Sequence, residues 1–128
     1  MRLRGKIAAI TGAGAGIGKT AAQLFASEGA TVVILEINET KGQAVQSDIE
    51  SRGGKALFIR TDMAEVESVK AAFEHMAAQF GRLDVLYNNA ANFLGKHDAR
   101  VTDLSLARLS QLEAFFSFFR AFVARGAA

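Results

Sequence analysis

The 128-residue chain has no cysteine, no proline and no tryptophan, and a single tyrosine, Tyr87. Without cysteine there can be no disulfide, no thiolate metal site and no cysteine nucleophile, which fits a reducing cytoplasm. Without proline there is no Pro-rich linker to divide the chain into two domains. A large net charge is missing as well: 15 Lys+Arg stand against 13 Asp+Glu, a balance of +2. A phosphate-backbone binder needs a clustered basic face, so nucleic acid is not an expected partner. The basic start Met1-Arg2-Leu3-Arg4-Gly5-Lys6 leads into Ile7-Ala8-Ala9-Ile10, but this apolar run breaks at Gly12 and does not read as a signal peptide. The most apolar stretch, Ala114 to Ala124, carries Arg120 and falls short of the ~18 residues of a membrane span, so no membrane association is expected.

What is present suits a packed core. Hydrophobic residues make up 50% and charged residues 22%, the balance of one globular domain over residues 1–128. Short apolar runs alternate with helical patterns. Lys6 to Thr11 reads as a buried strand, and Gly12 to Gly18 as a glycine-rich turn. Ile17, Ala21, Leu24 and Phe25 form an apolar helix stripe that ends near Gly29. Thr31 to Leu35 is a second, β-branched strand. A polar helix follows, with Asn38 as its cap and Gly53-Gly54 as its stop. Ala56 to Ile59 is a third strand. Val66, Val69, Phe73, Met76 and Phe80 recur at helical spacing until Gly81, and Leu83 to Tyr87 is a fourth strand. Asn92 to Thr102 reads as a loop, and a last apolar helix spans residues 104–125. This alternation predicts an α/β fold, a parallel sheet with helices on both faces joined by right-handed crossovers. Ligands of such sheets bind beyond the carboxyl ends of the strands.

The chemistry-bearing residues fall at those ends. Thr11-Gly12-Ala13-Gly14-Ala15-Gly16-Ile17-Gly18 joins a strand to a helix. Glycines there allow a tight turn and close backbone approach, and the helix start offers free N–H groups to a phosphate. The plain alternative is a structural βα turn. A loose P-loop overlaps it: Ala13 to Thr20 reads Ala-x-x-x-x-Gly-Lys-Thr, which would put Lys19 on a phosphate and Thr20 on Mg²⁺. Glu36 ends the second strand, where a carboxylate accepts hydrogen bonds from the adenosine ribose and repels a 2′-phosphate, favouring NAD over NADP. Asp62 follows the third strand and could accept from the adenine amino group. The stretch Asp62-Met63-Ala64-Glu65 also has capping-box spacing. Asn88-Asn89-Ala90-Ala91 closes the fourth strand, with amides to tie loops and small residues to admit a ribose.

Together these motifs resemble the amino-terminal half of a short-chain dehydrogenase/reductase, which implies a Rossmann-type sheet of strand order 3-2-1-4 with helices on both faces. The family pattern Thr-Gly-x-x-x-Gly-x-Gly matches Thr11, Gly12, Gly16 and Gly18, and Asn-Asn-Ala-Gly matches Asn88, Asn89 and Ala90, with Ala91 in place of the last glycine. The basic residue that NADP-preferring members often carry is absent, since Ala15 stands there. The resemblance implies NAD as cofactor, with contacts from Gly12, Gly16, Ile17, Gly18, Glu36, Asp62, Met63, Asn89 and Ala90, and no metal. It also implies hydride transfer between nicotinamide and a carbonyl or alcohol in full-length relatives. Their catalytic Ser and Tyr-x-x-x-Lys have no counterpart here: the residue four beyond Tyr87 is Ala91, Gln111 replaces a helix Asn, and neither His75 nor His97 has a catalytic partner. No catalytic residue is therefore assigned, and the chain reads as an NAD-binding module truncated before Tyr-x-x-x-Lys. The alternative is a non-catalytic nucleotide-sensing or interaction module. Five of the ten phenylalanines lie between Phe115 and Phe122. With the family's next helix lacking, leaving two rings uncovered would expose ~300–500 Å² of apolar surface, so a homo-oligomer through this helix is expected.

Overall fold

The computed structural model describes residues 1–89. The expectations for Ala90, the 92–102 loop, the 104–125 helix and self-association through Phe115 to Phe122 lie outside them. Seven elements alternate in order: β1 (Ile7–Thr11), α1 (Gly16–Ser27), β2 (Thr31–Glu36), α2 (Glu39–Ser51), β3 (Lys55–Arg60), α3 (Val66–Phe80) and β4 (Val85–Tyr87). The strands form one sheet ordered β3-β2-β1-β4, and every pair is parallel. This is the parallel sheet expected from the alternation of apolar strands and amphipathic helices, in the Rossmann-type order that the resemblance implies.

Side chains of successive strand residues point to opposite faces, and each face has its own core. Ala8, Ile10, Val32 and Ile34 pack with Ala22 and Ala26 of α1 and Val45 and Ile49 of α2. Ala9, Val33 and Leu35 pack on the other face with Val69, Ala72, Phe73 and Met76 of α3. Helix ends follow local chemistry. Asn38 caps α2, its Oδ1 accepting from Lys41 N at 3.0 Å. Gly81, at φ +71°, closes α3 and donates to the Ala77 carbonyl at 3.0 Å. β3 is an edge strand, and the N–H of Phe58 donates to Gln46 Oε1 of α2 at 2.7 Å. The helix thereby covers a donor that no neighbouring strand pairs. Among the described residues, no helix is long and apolar enough to cross a membrane.

The stripe expected on α1 is rotated. Ala21 and Phe25 are half-buried, but Ile17 is 72% and Leu24 57% exposed. The face turned to the sheet is Gly18, Ala22 and Ala26 instead. The helix lies so close to β1 and β2 that only small side chains fit beneath it, and the larger apolar residues are displaced to its flanks. Strand bounds shift slightly as well: β1 starts at Ile7 rather than Lys6, and β4 at Val85 rather than Leu83. Leu83 is nevertheless buried, in the α3-side core.

The foot of the sheet is fastened by charge. Asp84 Oδ2 accepts from Ile7 N at 2.8 Å and from Arg82 Nη2 at 3.0 Å, and Arg82 Nη2 also reaches the Gly5 carbonyl at 2.7 Å. Burial pushes the Asp84 carboxyl upward, but the Ile7 N–H, the Arg82 hydrogen bond and the charges of Arg82 and Lys6 outweigh it. The net effect lies below the ordinary 3.8. A carboxyl depressed in the folded state stabilises the fold above its unfolded value, and that contribution disappears as pH falls through the folded value. Because Asp84 is exposed and its charge is screened by solvent, Asp84→Asn is expected to cost no more than about 1 kcal/mol at neutral pH. Urea denaturation of variant and wild type should converge as pH falls below 3.8; an unchanged gap at acid pH would show that the charge plays no part.

Candidate cofactor-binding site

The carboxyl ends of β1, β2 and β4 meet the start of α1. β1 ends at Thr11, which is fully buried. Its hydroxyl oxygen accepts from Asn89 N at 2.9 Å and donates to Asn88 Oδ1 at 3.2 Å. Gly12 follows at φ +66°, a left-handed conformation that favours glycine. Its N–H donates to the Leu35 carbonyl at 2.8 Å, and its carbonyl accepts from Asn89 Nδ2 at 3.3 Å. The two asparagines thus tie the end of β4 to the end of β1, as their amides suggested.

Gly18 fixes the other side of this corner. A Cβ there would stand 2.4 Å from the Gly12 carbonyl oxygen and 2.5 Å from Asn89 Nδ2. Gly16 opens the helix at φ +58°, with nothing within 4 Å of where its Cβ would be. The cap position, Ala15, contributes no side-chain hydrogen bond, and the first turn holds no acidic residue. The first N–H groups of an α-helix have no partner within the helix, so this end presents donors and the positive end of a dipole with no anion of the chain's own in its first turn. The Thr20 hydroxyl, which the P-loop reading would put on a metal, donates to the Gly16 carbonyl at 3.2 Å. Ile17 stands exposed beside the turn.

Glu36 ends β2 and turns its carboxylate onto the glycine loop. Oε1 accepts from Gly14 N and Oε2 from Asn38 N, each at 2.9 Å. Asp62 lies one residue past buried Thr61, whose N–H donates to the Glu36 carbonyl at 3.0 Å. The expected capping box is not formed: α3 starts at Val66 with Glu65 at its cap. Asp62 instead closes a turn one step upstream, Oδ1 accepting from Ala64 N at 2.9 Å, while its own N–H donates to Ser68 Oγ at 2.8 Å. Two residues of tight turn before Val66 delay the helix, so the carboxylate stays at the sheet edge rather than over the helix axis. Met63 packs on the α3-side core. Tyr87 packs in the α1-side core, its ring edge-on to Phe25 with centroids 6.4 Å apart.

The structure thus brings Gly12, Gly16, Gly18, Glu36 and Asn89 to one sheet edge, with Asp62 at the end of the next strand. Sequence reading gave no site role to Gly14, Ser68 or Thr11. Gly14 and Ser68 show their partners only once strands are in register; Thr11 was visible only as the first letter of the glycine motif. Gly18→Ala should place a methyl against a backbone carbonyl that cannot rotate away. We expect a loss of about 2–3 kcal/mol in urea denaturation, and a stability within error of wild type would contradict this packing.

Comparison with known proteins agrees with this geometry. A short chain dehydrogenase/reductase of Aspergillus oryzae is 46% identical over 90 residues, which cover 70% of this chain and 34% of that protein. A short chain dehydrogenase from Burkholderia cenocepacia, solved in complex with NADP, superposes with a TM-score of 0.78 at 32% identity. The match covers 96% of this chain and 53% of that one. A 7α-hydroxysteroid dehydrogenase complexed with NADH and 7-oxo glycochenodeoxycholic acid superposes with a TM-score of 0.76 at 34% identity, covering 96% and 48%. The chain therefore spans about a third of that curated relative and about half of these solved chains. The pattern of the short chain dehydrogenase family runs through residues 6–121, and with the glycine turn, the sheet order and the asparagine latch in place this chain belongs to that family.

Proposed function

We propose that this chain is a nicotinamide-dinucleotide-binding module of a short-chain dehydrogenase/reductase-type oxidoreductase, with NAD(H) preferred over NADP(H). The observation that carries the reading is the Glu36 carboxylate at the end of β2, held against the glycine turn by Gly14 N. It stands where a ribose diol can donate to it and where a 2′-phosphate would meet like charge. The residues present fit such a cofactor. Gly16 leaves open space in front of unpaired helix amides, which suits a pyrophosphate. Asp62 retains a second carboxylate oxygen for an adenine amino group, and the tie from Asn89 to Gly12 keeps the β4 end from closing over the turn. When bound, the nicotinamide supplies a carbon that gives or takes hydride; this chain's residues bind and orient it. Solved relatives carry NADH in one case and NADP in another, so the preference here rests on Glu36 and Ala15.

For these 128 residues by themselves the proposal is binding without turnover. The single tyrosine is packed against Phe25 in the core, and no Tyr-x-x-x-Lys occurs in the sequence. A missing general acid removes about 10²–10⁴-fold of rate. Fluorescence titration should show tighter binding of NADH than NADPH, with Glu36→Ala narrowing the difference about tenfold. Equal or tighter NADPH binding overturns the preference. In the same preparation, NADH absorbance should stay constant across a panel of carbonyl compounds; turnover would mean that another group supplies the proton.

A further inference from the structure

Gly14 sits buried in the middle of the glycine turn, yet its backbone does not demand glycine. Among the described residues, the glycines with positive φ are Gly5, Gly12, Gly16, Gly29, Gly53 and Gly81, and Gly14 is not among them. What excludes a side chain at this position is Glu36. A Cβ on Gly14 would lie 2.4 Å from Glu36 Oε1 and 2.8 Å from both Cδ and Cγ. The same lack of a side chain lets Gly14 N approach Oε1 to 2.9 Å, while Asn38 N holds Oε2 at 2.9 Å. The carboxylate is bracketed by two backbone amides, one from the turn after β1 and one from the cap of α2. A carboxylate offers about four acceptor sites, so this bracket leaves about two for a ligand diol.

We propose that Gly14 is a specificity-determining residue: by carrying no side chain it lets its amide fix the Glu36 carboxylate against the turn, and so sets the place of the negative charge that selects the ribose. The inference rests on the dinucleotide reading given above, and it concerns position 14 rather than the acidic residue itself. A methyl at position 14 meets the far end of a flexible side chain, not backbone. The turn can therefore keep its course while Glu36 swings out. The amide then loses its acceptor, and the charge moves from the place where it orients two hydroxyls and opposes a 2′-phosphate. Gly14→Ala should act as Glu36→Ala does, although the carboxylate is still present.

The test uses the 128-residue chain and three variants, Gly14→Ala, Glu36→Ala and the double variant, each titrated with NADH and NADPH and melted thermally. Gly14→Ala should still melt cooperatively, a few degrees below wild type because the Gly14 amide loses its acceptor, and lower the NADH-over-NADPH preference about tenfold. The double variant should match Glu36→Ala alone, because both changes remove one interaction. A Gly14→Ala chain with wild-type preference, a double variant whose losses add, or a Gly14→Ala chain that no longer melts cooperatively each overturns the proposal. Amide hydrogen exchange on the free protein reads the bracket without any dinucleotide: the Gly14 amide should exchange slowly in wild type and fast in Glu36→Ala. Equal exchange in the two overturns the bracket itself. A wild-type chain that binds neither dinucleotide but shows the protected amide sinks the functional reading, and with it the selective role of Gly14, while leaving the bracket standing.

Discussion

The carbonyl oxygen of Gly12 holds the upper edge of this sheet together. Asn89 of the segment after β4 donates to it, and Gly18 of α1 is pressed so near it that a Cβ would come within 2.4 Å. One atom thus sets the spacing of β1, α1 and the end of β4. The closeness of α1 dictates the small face Gly18, Ala22 and Ala26, because larger side chains cannot enter the gap. It also sends Ile17 and Leu24 outward. A helix packed by its bulkier residues would sit farther from β1, and its first amides would no longer stand over the turn.

Polar groups at this edge are satisfied mostly by neutral partners. The Thr11 hydroxyl, the two asparagines and the Gly12 carbonyl bond to one another in a part-buried cluster around the fully buried Thr11, where an unpaired hydroxyl would be costly. Among the described residues, no buried side-chain polar atom lacks a partner. The amides that open α1 differ, because a helix start has no internal acceptors to offer them. The edge therefore combines a rigid, satisfied corner with one set of donors turned outward, which is a suitable arrangement for an anionic ligand that must be held without rearrangement.

Much of this was legible in the sequence because it is local. The Asn38 cap, the Gly81 stop, the alternation of strands with helices and the glycine turn each depend on neighbours a few residues apart or on simple periodicity, whereas the strand order came only with the family resemblance. The facing of α1 was not legible. Ile17, Ala21, Leu24 and Phe25 make a good stripe by period, and only the contact between Gly18 and Gly12 shows that the helix presents its alanines. The capping box that the Asp62-Met63-Ala64-Glu65 spacing allows is not formed, because α3 starts only at Val66, and the bond between Asp62 N and Ser68 Oγ is a contact that spacing alone does not announce. The bond from Gly14 to Glu36 spans 22 positions and crosses from one turn to the next strand's end. No pattern along the chain announces it.

The two ends of the sheet are secured by different physics, and the difference bears on the selectivity proposed for Glu36. At the foot, Asp84 is matched by the Arg82 guanidinium, and its charge is neutralised where it serves only to join β4 to β1. At the upper edge, Glu36 is held by amides alone. Among the described residues no lysine or arginine forms an ion pair with it, although Arg60 is its register neighbour on β3. Amide dipoles orient a carboxylate without cancelling its charge. A guanidinium in their place would hold Glu36 as firmly, but the pair would be nearly neutral and would offer a 2′-phosphate its own cation. A negative group that must both stay in position and remain negative is better fixed by backbone N–H groups, and a glycine is what brings one of them within reach.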